Sequence, residues 1–352
     1  MKQNFDTLVI LSPGFAADEA DSTCLPLQQE LVLSINRQFP ELKIVVLAFQ
    51  YPFISGTYSW HGNRIIALNG RNRPGLFRLL TWLKAWRALK RLHRKEPMLG
   101  ILSFWLGECA VVGHYAARSF HLPHFNWILG QDARPHNRWA RFLKKHPEEL
   151  VALSDFVSDE FAANYGVRPA QTITPGINPA RYPVKPDQQN IDIIAAGSLI
   201  PVKRYELFIE IVAALRNKFP GIRVLLCGEG KARTRLQQLI TEAGLQNVIT
   251  LAGEKSNSEV LASMQRSRVL LHPSAYEGFG VVCLEALYAG AHVVSFCRPQ
   301  HAWIRHWHYV NDKSAMLKKM EELLSDPNLD HNPVLPYSID DTAQEMIRLF
   351  RS

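Results

Sequence analysis

The sequence predicts an α/β protein made of two parallel-sheet halves, and two observations carry that reading. Short apolar runs rich in Val, Ile and Leu alternate along the chain with longer segments of helical period, which implies parallel strands covered by helices on both faces. The rhythm breaks once, at a proline-rich segment over residues 175–186, and then restarts. With 352 residues, 47% apolar and 20% charged, the chain is long enough for two domains and has a globular rather than a disordered composition.

The first half opens with a strand over 7–11, a Pro13-Gly14 turn and a helix that spaces Leu25, Leu27, Leu31 and Ile35 by turns. A strand over 43–49 closes this β-α-β unit. A polar, aromatic-rich stretch over 51–73 leads to a helix over 76–94. Then follow a strand over 99–104, a helix through Val111 and Ala116, strands over 125–129 and 150–153, and a helix over 158–165. The segment 175–186 reads as an extended linker. Beyond it, strands are expected over 191–196, 223–227, 248–251, 268–272 and 292–296, with helices over 205–218, 232–243, 281–288 and 313–324. A last helix is expected over 339–350.

Several partner and compartment classes are narrowed by composition. The first six residues run straight into a strand with no charged leader and apolar core, and no apolar run approaches the roughly 20 residues needed to span a bilayer. The five cysteines, Cys24, Cys109, Cys227, Cys283 and Cys297, are odd in number and scattered, which favours free thiols in a reducing cytoplasm. No Asp-x-Asp or histidine cluster suggests a metal site, and no metal is expected.

Net charge is +8, and its excess is local: between Leu42 and Lys95 there are eleven Lys and Arg and no Asp or Glu. Within that stretch the helix over 76–94 places Leu76, Leu79, Trp82, Leu83, Trp86 and Leu89 on one arc, with Lys84, Arg87, Arg91, Arg94 and Lys95 beside it. Two readings follow: a sheet-covering helix with a solvated basic flank, or a surface helix that meets anionic lipid. No nucleic-acid module accompanies the charge, so no nucleic acid is expected as partner.

The most informative stretch runs from His272 to Gly290. An apolar strand ends in a turn carrying Gly278 and Gly280, and a helix begins at Val281. A glycine turn emptying into a helix presents unpaired N–H groups and the positive end of the dipole, which suits a phosphate. Glu277 and Glu285 bracket the turn; carboxylates there suit hydroxyls rather than the phosphate itself. Phosphates in the middle and hydroxyls at both ends describe a nucleotide-sugar.

Glu277 and Glu285, with seven residues between them in the frame Pro-Ser-x-x-Glu-Gly-Phe-Gly, resemble the Glu-x7-Glu motif of the retaining family 4 glycosyltransferases. The resemblance implies the GT-B fold, two Rossmann-like domains with parallel sheets facing a central cleft. It places an acceptor-side domain at 1–174, a nucleotide-sugar-binding domain at 175–336 and a C-terminal helix at 337–352 that crosses back to the first. Gly197-Ser198-Leu199, followed by Lys203, is similar to the family's Gly-Arg-Leu-x-x-x-Lys, so Lys203 takes the diphosphate role, with Ser198 where the family carries Arg and Arg204 as a second cation. Gly228 belongs to a segment like the family's Gly-x-Gly turn. The base pocket is expected around Ala252, Gly253, Glu254 and Lys255.

Donor contacts implied by the resemblance are thus Gly14, Ser198, Lys203, Arg204, Gly228, Gly253, Glu254, Glu277, Gly278, Phe279, Gly280, Val281 and Glu285. Glu277 would hold hydroxyls of the transferred sugar and Glu285 the ribose. Gly14 lies in the Pro13-Gly14 turn, where the family has a glycine-rich loop, and a plain β-α turn fits equally. Gln131 and Asp132 are candidates for acceptor contact, with Asp132 also a candidate catalytic group; a turn cap fits Asp132 as well.

The implied activity is transfer of a hexose with retention from a nucleoside-diphosphate sugar to a glycan or lipid-linked acceptor, in cell-surface polysaccharide synthesis. The cytoplasm is the expected location, with peripheral contact at the inner face of the membrane. No cofactor is expected. The alternatives are a non-catalytic GT-B protein that binds a glycan or lipid, and a sugar-nucleotide epimerase on the same fold.

Overall fold

This computed structural model describes residues 7–184 and 189–351; the expectations for residues 1–6, and for 185–186 at the end of the predicted linker, fall outside them. Contacts divide the chain into two compact units, Met1–Pro175 with Ile339–Ser352, and Gly176–Ser338.

The first unit runs β1 (Thr7–Gly14), α1 (Pro26–Gln38), β2 (Lys43–Tyr51), β3 (Gly56–Trp60), β4 (Asn63–Ala67), α2 (Leu76–Lys95), β5 (Met98–Phe104), α3 (Glu108–Phe120), β6 (His124–Ile128), α4 (Gly130–Ala133), α5 (Arg138–Leu143), β7 (Leu150–Ala152), α6 (Asp155–Tyr165) and β8 (Gln171–Thr172). Its eight strands lie in the order β3-β4-β2-β1-β5-β6-β7-β8. All pairings are parallel except β3 with β4. Leu8, Val9, Ile10 and Leu11 of the central strand are all fully buried, as expected of a strand covered on both faces. The β3–β4 hairpin lies inside the polar, aromatic-rich stretch over 51–73, to which the sequence reading assigned no element. It turns on His61 and Gly62, both at positive φ, a two-residue turn without the usual Asn-Gly signature.

One sequence expectation is corrected here. The arc Leu76, Leu79, Trp82, Leu83, Trp86 and Leu89 does not face the core as one surface. Leu89 is buried with Thr81, Ala85 and Leu92, and Trp82 and Trp86 pack half-buried against the same core, while Leu76, Leu79 and Leu83 stand in solvent.

In the second unit, β9 (Ile191–Ala196), α7 (Tyr205–Lys218), β10 (Val224–Cys227), α8 (Arg233–Glu242), β11 (Ile249–Gly253), α9 (Asn257–Gln265), β12 (Ser267–His272), α10 (Val281–Ala289), β13 (His292–Ser295), β14 (Trp307–Tyr309) and α11 (Lys313–Ser325) alternate regularly. The six strands are parallel, in the order β11-β10-β9-β12-β13-β14. The core is built from Ile193, Phe208, Val212, Leu226, Leu271 and Met316 among others. Because β9 pairs with β12, with Ile193 opposite Val269, the loops leaving their carboxyl ends emerge side by side. The described part of the predicted linker is not free. Tyr182 donates its hydroxyl to the Glu285 carbonyl at 3.0 Å and packs its ring on Tyr288, which fastens the segment to α10.

The last helix, α12 (Ile339–Arg351), belongs to the first unit. Ser34 and Arg37 of α1 both donate to the Asp340 carboxylate, at 2.5 and 2.8 Å, and Thr342 donates to the Thr174 carbonyl at 2.9 Å. Phe350 meets Phe125 edge-on and occupies the space over Gly100, where a Cβ would come within 2.5 Å of its ring. No helix among the described residues is long and apolar enough to cross a membrane.

Candidate functional site

Two loops build the site in the second unit. After β9 the chain passes Gly197 and Ser198 into a 3-10 turn, Pro201–Lys203, and Arg204 takes a left-handed conformation as α7 begins. After β12 it passes Pro273 and Ser274 toward Glu277. The loops are tied together: Ala275 donates its N–H, and Ser274 its hydroxyl, to the Val202 carbonyl at 2.8 and 3.1 Å. That tie sets Glu277 against Lys203.

Lys203 Nζ lies 2.5 Å from Glu277 Oε1, and His272 Nε2 meets the same oxygen at 3.2 Å. Both members of the ion pair are largely buried. Burial opposes ionisation of Glu277, but the His272 hydrogen bond and the Lys203 charge outweigh it and hold the carboxyl down at about 2. Three residues on, Gly280 caps α10 at φ +83, a left-handed backbone that L side chains rarely adopt. The open N–H groups of α10 thus begin beside a lysine already held in place.

A further polar group faces this cluster. The Tyr205 hydroxyl is buried and has no hydrogen-bond partner among the described residues, and it stands 3.1 Å from where a Cβ on Gly197 would lie; the Lys203 Cε is 3.6 Å from the same point. Burial and the Glu277 charge push its phenol well above the usual tyrosine range, so it stays a neutral donor.

The structure brings Lys203, Glu277 and the Gly280 turn together and disperses other predicted contacts. Glu285, one turn along α10, accepts a hydrogen bond from Asn257 at 3.3 Å. Gly278 and Val281 are half-buried beside the turn. Gly228 and Gly253 are joined by an N–H to carbonyl bond of 2.8 Å, and a Cβ on Gly228 would collide with the Gly197 carbonyl at 2.0 Å. The Gly-x-Gly turn is therefore glycine so that the β10 loop can pack on the β9 loop. Ser198 and Glu254 are exposed, and Lys255 is paired with Glu259 at 3.2 Å.

Three assignments are corrected. The Phe279 ring is buried edge-on to Trp307 and Tyr337, so it anchors the turn in the core instead of touching a ligand. The Arg204 guanidinium lies over the Phe296 ring, 5.4 Å from its centroid. Asp132, in the first unit, is buried and accepts the Leu129 N–H at 2.8 Å, so it caps α4. Burial raises its carboxyl to about 7, against the opposing backbone hydrogen bonds. Its neighbour Gln131 is exposed, and Gly14 is buried at the carboxyl end of β1 against Cys24 and Tyr51.

His272 and Tyr205 were missed by sequence reasoning. The signal for His272 was its place at the strand end, five residues before Glu277; Tyr205 was read only as the start of the helix over 205–218. Cys109, Cys227 and Cys283 are buried, and burial pushes the Cys297 thiol, near Glu277, up to about 12, which disfavours its thiolate. The absence of a histidine cluster is also corrected. In the first unit His114 and His124 both hydrogen-bond Glu149, and these three ligand-type side chains bring their atoms within 4.8 Å of one another. They lie 10 and 25 positions apart in sequence, which hides the cluster.

A model of the glycosyl transferases group 1 family matches residues 180–334. The glycogen synthase of Mycobacterium tuberculosis strain H37Rv is 29% identical over 180 residues, 49% of this chain and 43% of the synthase. The match thus spans under half the length of this curated relative. Among solved structures, the sucrose-phosphate synthase of Thermosynechococcus elongatus has a TM-score of 0.70 at 18% identity, covering 98% of this chain and 94% of its own. HepE of Anabaena, solved in complex with UDP and glucose, has a TM-score of 0.69 at 17% identity, covering 97% and 94%. At such identities the likeness shows the fold, which is GT-B.

Proposed function

We propose, from the match of residues 180–334 to the model of the group 1 glycosyl transferases, that the chain transfers a hexose, with retention, from a nucleoside-diphosphate sugar to a glycan or lipid-linked acceptor of a cell-surface polysaccharide. The observation that carries the proposal is the Lys203–Glu277 pair at 2.5 Å beside the Gly280 start of α10. A lysine and open helix N–H groups on one side, and a carboxylate and a neutral tyrosine hydroxyl on the other, match a diphosphate joined to a polyol.

The diphosphate draws Lys203 toward itself, and Glu277, held charged, accepts hydroxyls of the sugar. Glu285 accepts hydroxyls of the ribose. The anomeric carbon–oxygen bond to the diphosphate breaks, a bond to the acceptor oxygen forms on the same face, and the departing phosphate takes the acceptor proton. Catalysis is then positioning together with stabilisation of charge on the leaving group by Lys203 and the α10 amides. Both carboxylates differ from a glycosidase pair in that neither acts on the scissile bond.

A thermal-shift screen with UDP, GDP and ADP tests the donor site, with UDP first because HepE was solved with it. A rise in melting temperature with one nucleotide supports the site; none with any of them overturns it. Donor turnover with an acceptor extract, followed by NMR of the anomeric proton, tests transfer and retention. Ser198, exposed where the family carries Arg, favours a second reading, a nucleotide-sugar-binding protein without transfer. Nucleotide stabilisation without turnover would select it.

A further inference from the structure

We propose that the solvent face of α2 docks on an anionic lipid bilayer, with the apolar start of the helix inserted and its basic remainder on the headgroups. The proposal stands on this face alone and does not depend on what the second unit binds.

The helix has two opposed faces. Thr81, Ala85, Leu89 and Leu92 are buried, which fixes the inward side. Stepping about 100° per residue, Leu76, Leu79, Leu80 and Leu83 fall on the opposite side, with Phe77 at its edge. These five are 45–69% exposed. Farther along that outward side Lys84, Arg87, Lys90, Arg91 and Arg94 follow, all exposed. Apolar and basic residues are therefore segregated lengthwise on a single face, large aliphatics in the first two turns and cations in the last three.

The preceding segment extends the apolar end. Phe53 and Ile54 are both more than half exposed, and the Arg71 guanidinium lies over the Phe53 ring and donates to its carbonyl at 3.0 Å. Arg73 lies over the Phe77 ring, 5.2 Å from its centroid. Seven of the fourteen large hydrophobic residues exposed among the described ones belong to this patch. A surface that leaves so many large apolar side chains in water marks an interaction site.

Charge decides the occupant. No Asp or Glu occurs between Leu42 and Lys95; Glu96 pairs with Arg64 and Glu108 with Arg78, but among the described residues no carboxylate pairs with Lys84, Arg87, Lys90, Arg91 or Arg94, so a protein partner would have to bring the charge that meets these five. A bilayer rich in anionic headgroups supplies that field over a flat area, and supplies the hydrocarbon that Leu76, Phe77, Leu80 and Leu83 need. Long Arg and Lys stems lying along apolar surface can keep their charged ends at phosphate depth. The lengthwise segregation fits a helix that enters obliquely, amino-terminal end deepest.

The test is co-sedimentation of the full chain with vesicles of phosphatidylcholine alone and with about 30% phosphatidylglycerol, at low and high salt. Partitioning should be at least about tenfold stronger on the anionic vesicles and fall steeply with salt. Leu76→Ser/Leu80→Ser/Leu83→Ser and Arg87→Gln/Lys90→Gln/Arg91→Gln should each weaken it about tenfold, with far-UV circular dichroism and the melting temperature of the chain unchanged. Equal binding to both vesicle types, no binding to either, or full binding by the leucine variant overturns the proposal. So does a dimer in size exclusion that the leucine variant dissolves, since the face would then belong to a second copy. Vesicle binding that persists when no nucleotide stabilises the protein leaves this proposal standing while the donor-site reading falls.

Discussion

Replacing Glu277 by Gln should destabilise the second unit in a way that depends on pH. In the folded chain the carboxyl sits at about 2 against an ordinary value of 4.5, because His272 and Lys203 favour its charged form more than burial disfavours it. A difference of about 2.5 units corresponds to roughly 3 kcal/mol at most. The amide keeps the shape of the side chain but leaves Lys203 with an uncompensated, largely buried charge. A loss of about 2–3 kcal/mol at pH 7 is expected, which lowers the transition of a unit this size by roughly 5–10 °C. A carboxyl whose folded value is depressed contributes stability that is full above its unfolded value and fades as pH falls toward its folded value. Calorimetry of both forms without nucleotide should therefore give a gap that is constant above about pH 4.5 and closes toward pH 2. No gap at pH 7, or one that stays open at pH 2.5, would refute the reasoning and leave Glu277 a packing residue.

Other substitutions separate the parts of the site. Lys203→Met should lower turnover at least about tenfold and remove nucleotide stabilisation in the thermal-shift assay. Tyr205→Phe should leave the ligand-free protein unchanged or up to about 1 kcal/mol more stable, because it deletes a buried hydroxyl without a partner, while weakening donor binding measured by calorimetry. Gly228→Ala should cost more than about 3 kcal/mol in denaturant unfolding, since its Cβ meets the Gly197 carbonyl and nothing there can yield. For Asp132→Asn the sign reverses relative to Glu277: a carboxyl raised from 3.8 to about 7 makes the wild type lose stability as pH rises between those values. Urea titrations at pH 4 and pH 8 should show that slope in the wild type and its absence in the variant.

The sheets of both units were legible because parallel strands buried on both faces leave near-continuous runs such as Leu8 to Leu11 and Ile193 to Ala196. The β3–β4 hairpin was not, since an edge hairpin buries little and its His61-Gly62 turn lacks the commonest signature. Glu277 and Lys203 were legible through local spacing within two loops. That they form one pair follows from β9 and β12 being neighbours, a long-range fact no local pattern carries. The arc of α2 was misread because periodicity gives the angle between residues, not which side meets the sheet. There Leu89 and Leu92 face inward with Thr81 and Ala85, and the leucines of the first two turns face out. Phe279 was misassigned for a similar reason: an aromatic inside a ligand-like motif can serve the turn's foundation as well as the ligand.

The return of α12 has a consequence for the order in which the protein can be made. Synthesis is vectorial, and the helix that clasps α1 and fills the space over Gly100 leaves the ribosome only after Gly176–Ser338. The first-translated unit must wait, with Gly100, Phe125 and Ser34 uncovered, until the whole of the second has emerged. The second unit is contiguous, Gly176–Ser338, and has no such wait. Cotranslational folding should thus run against the order of the gene, and a stop codon after Ser338 should injure the half of the protein written first.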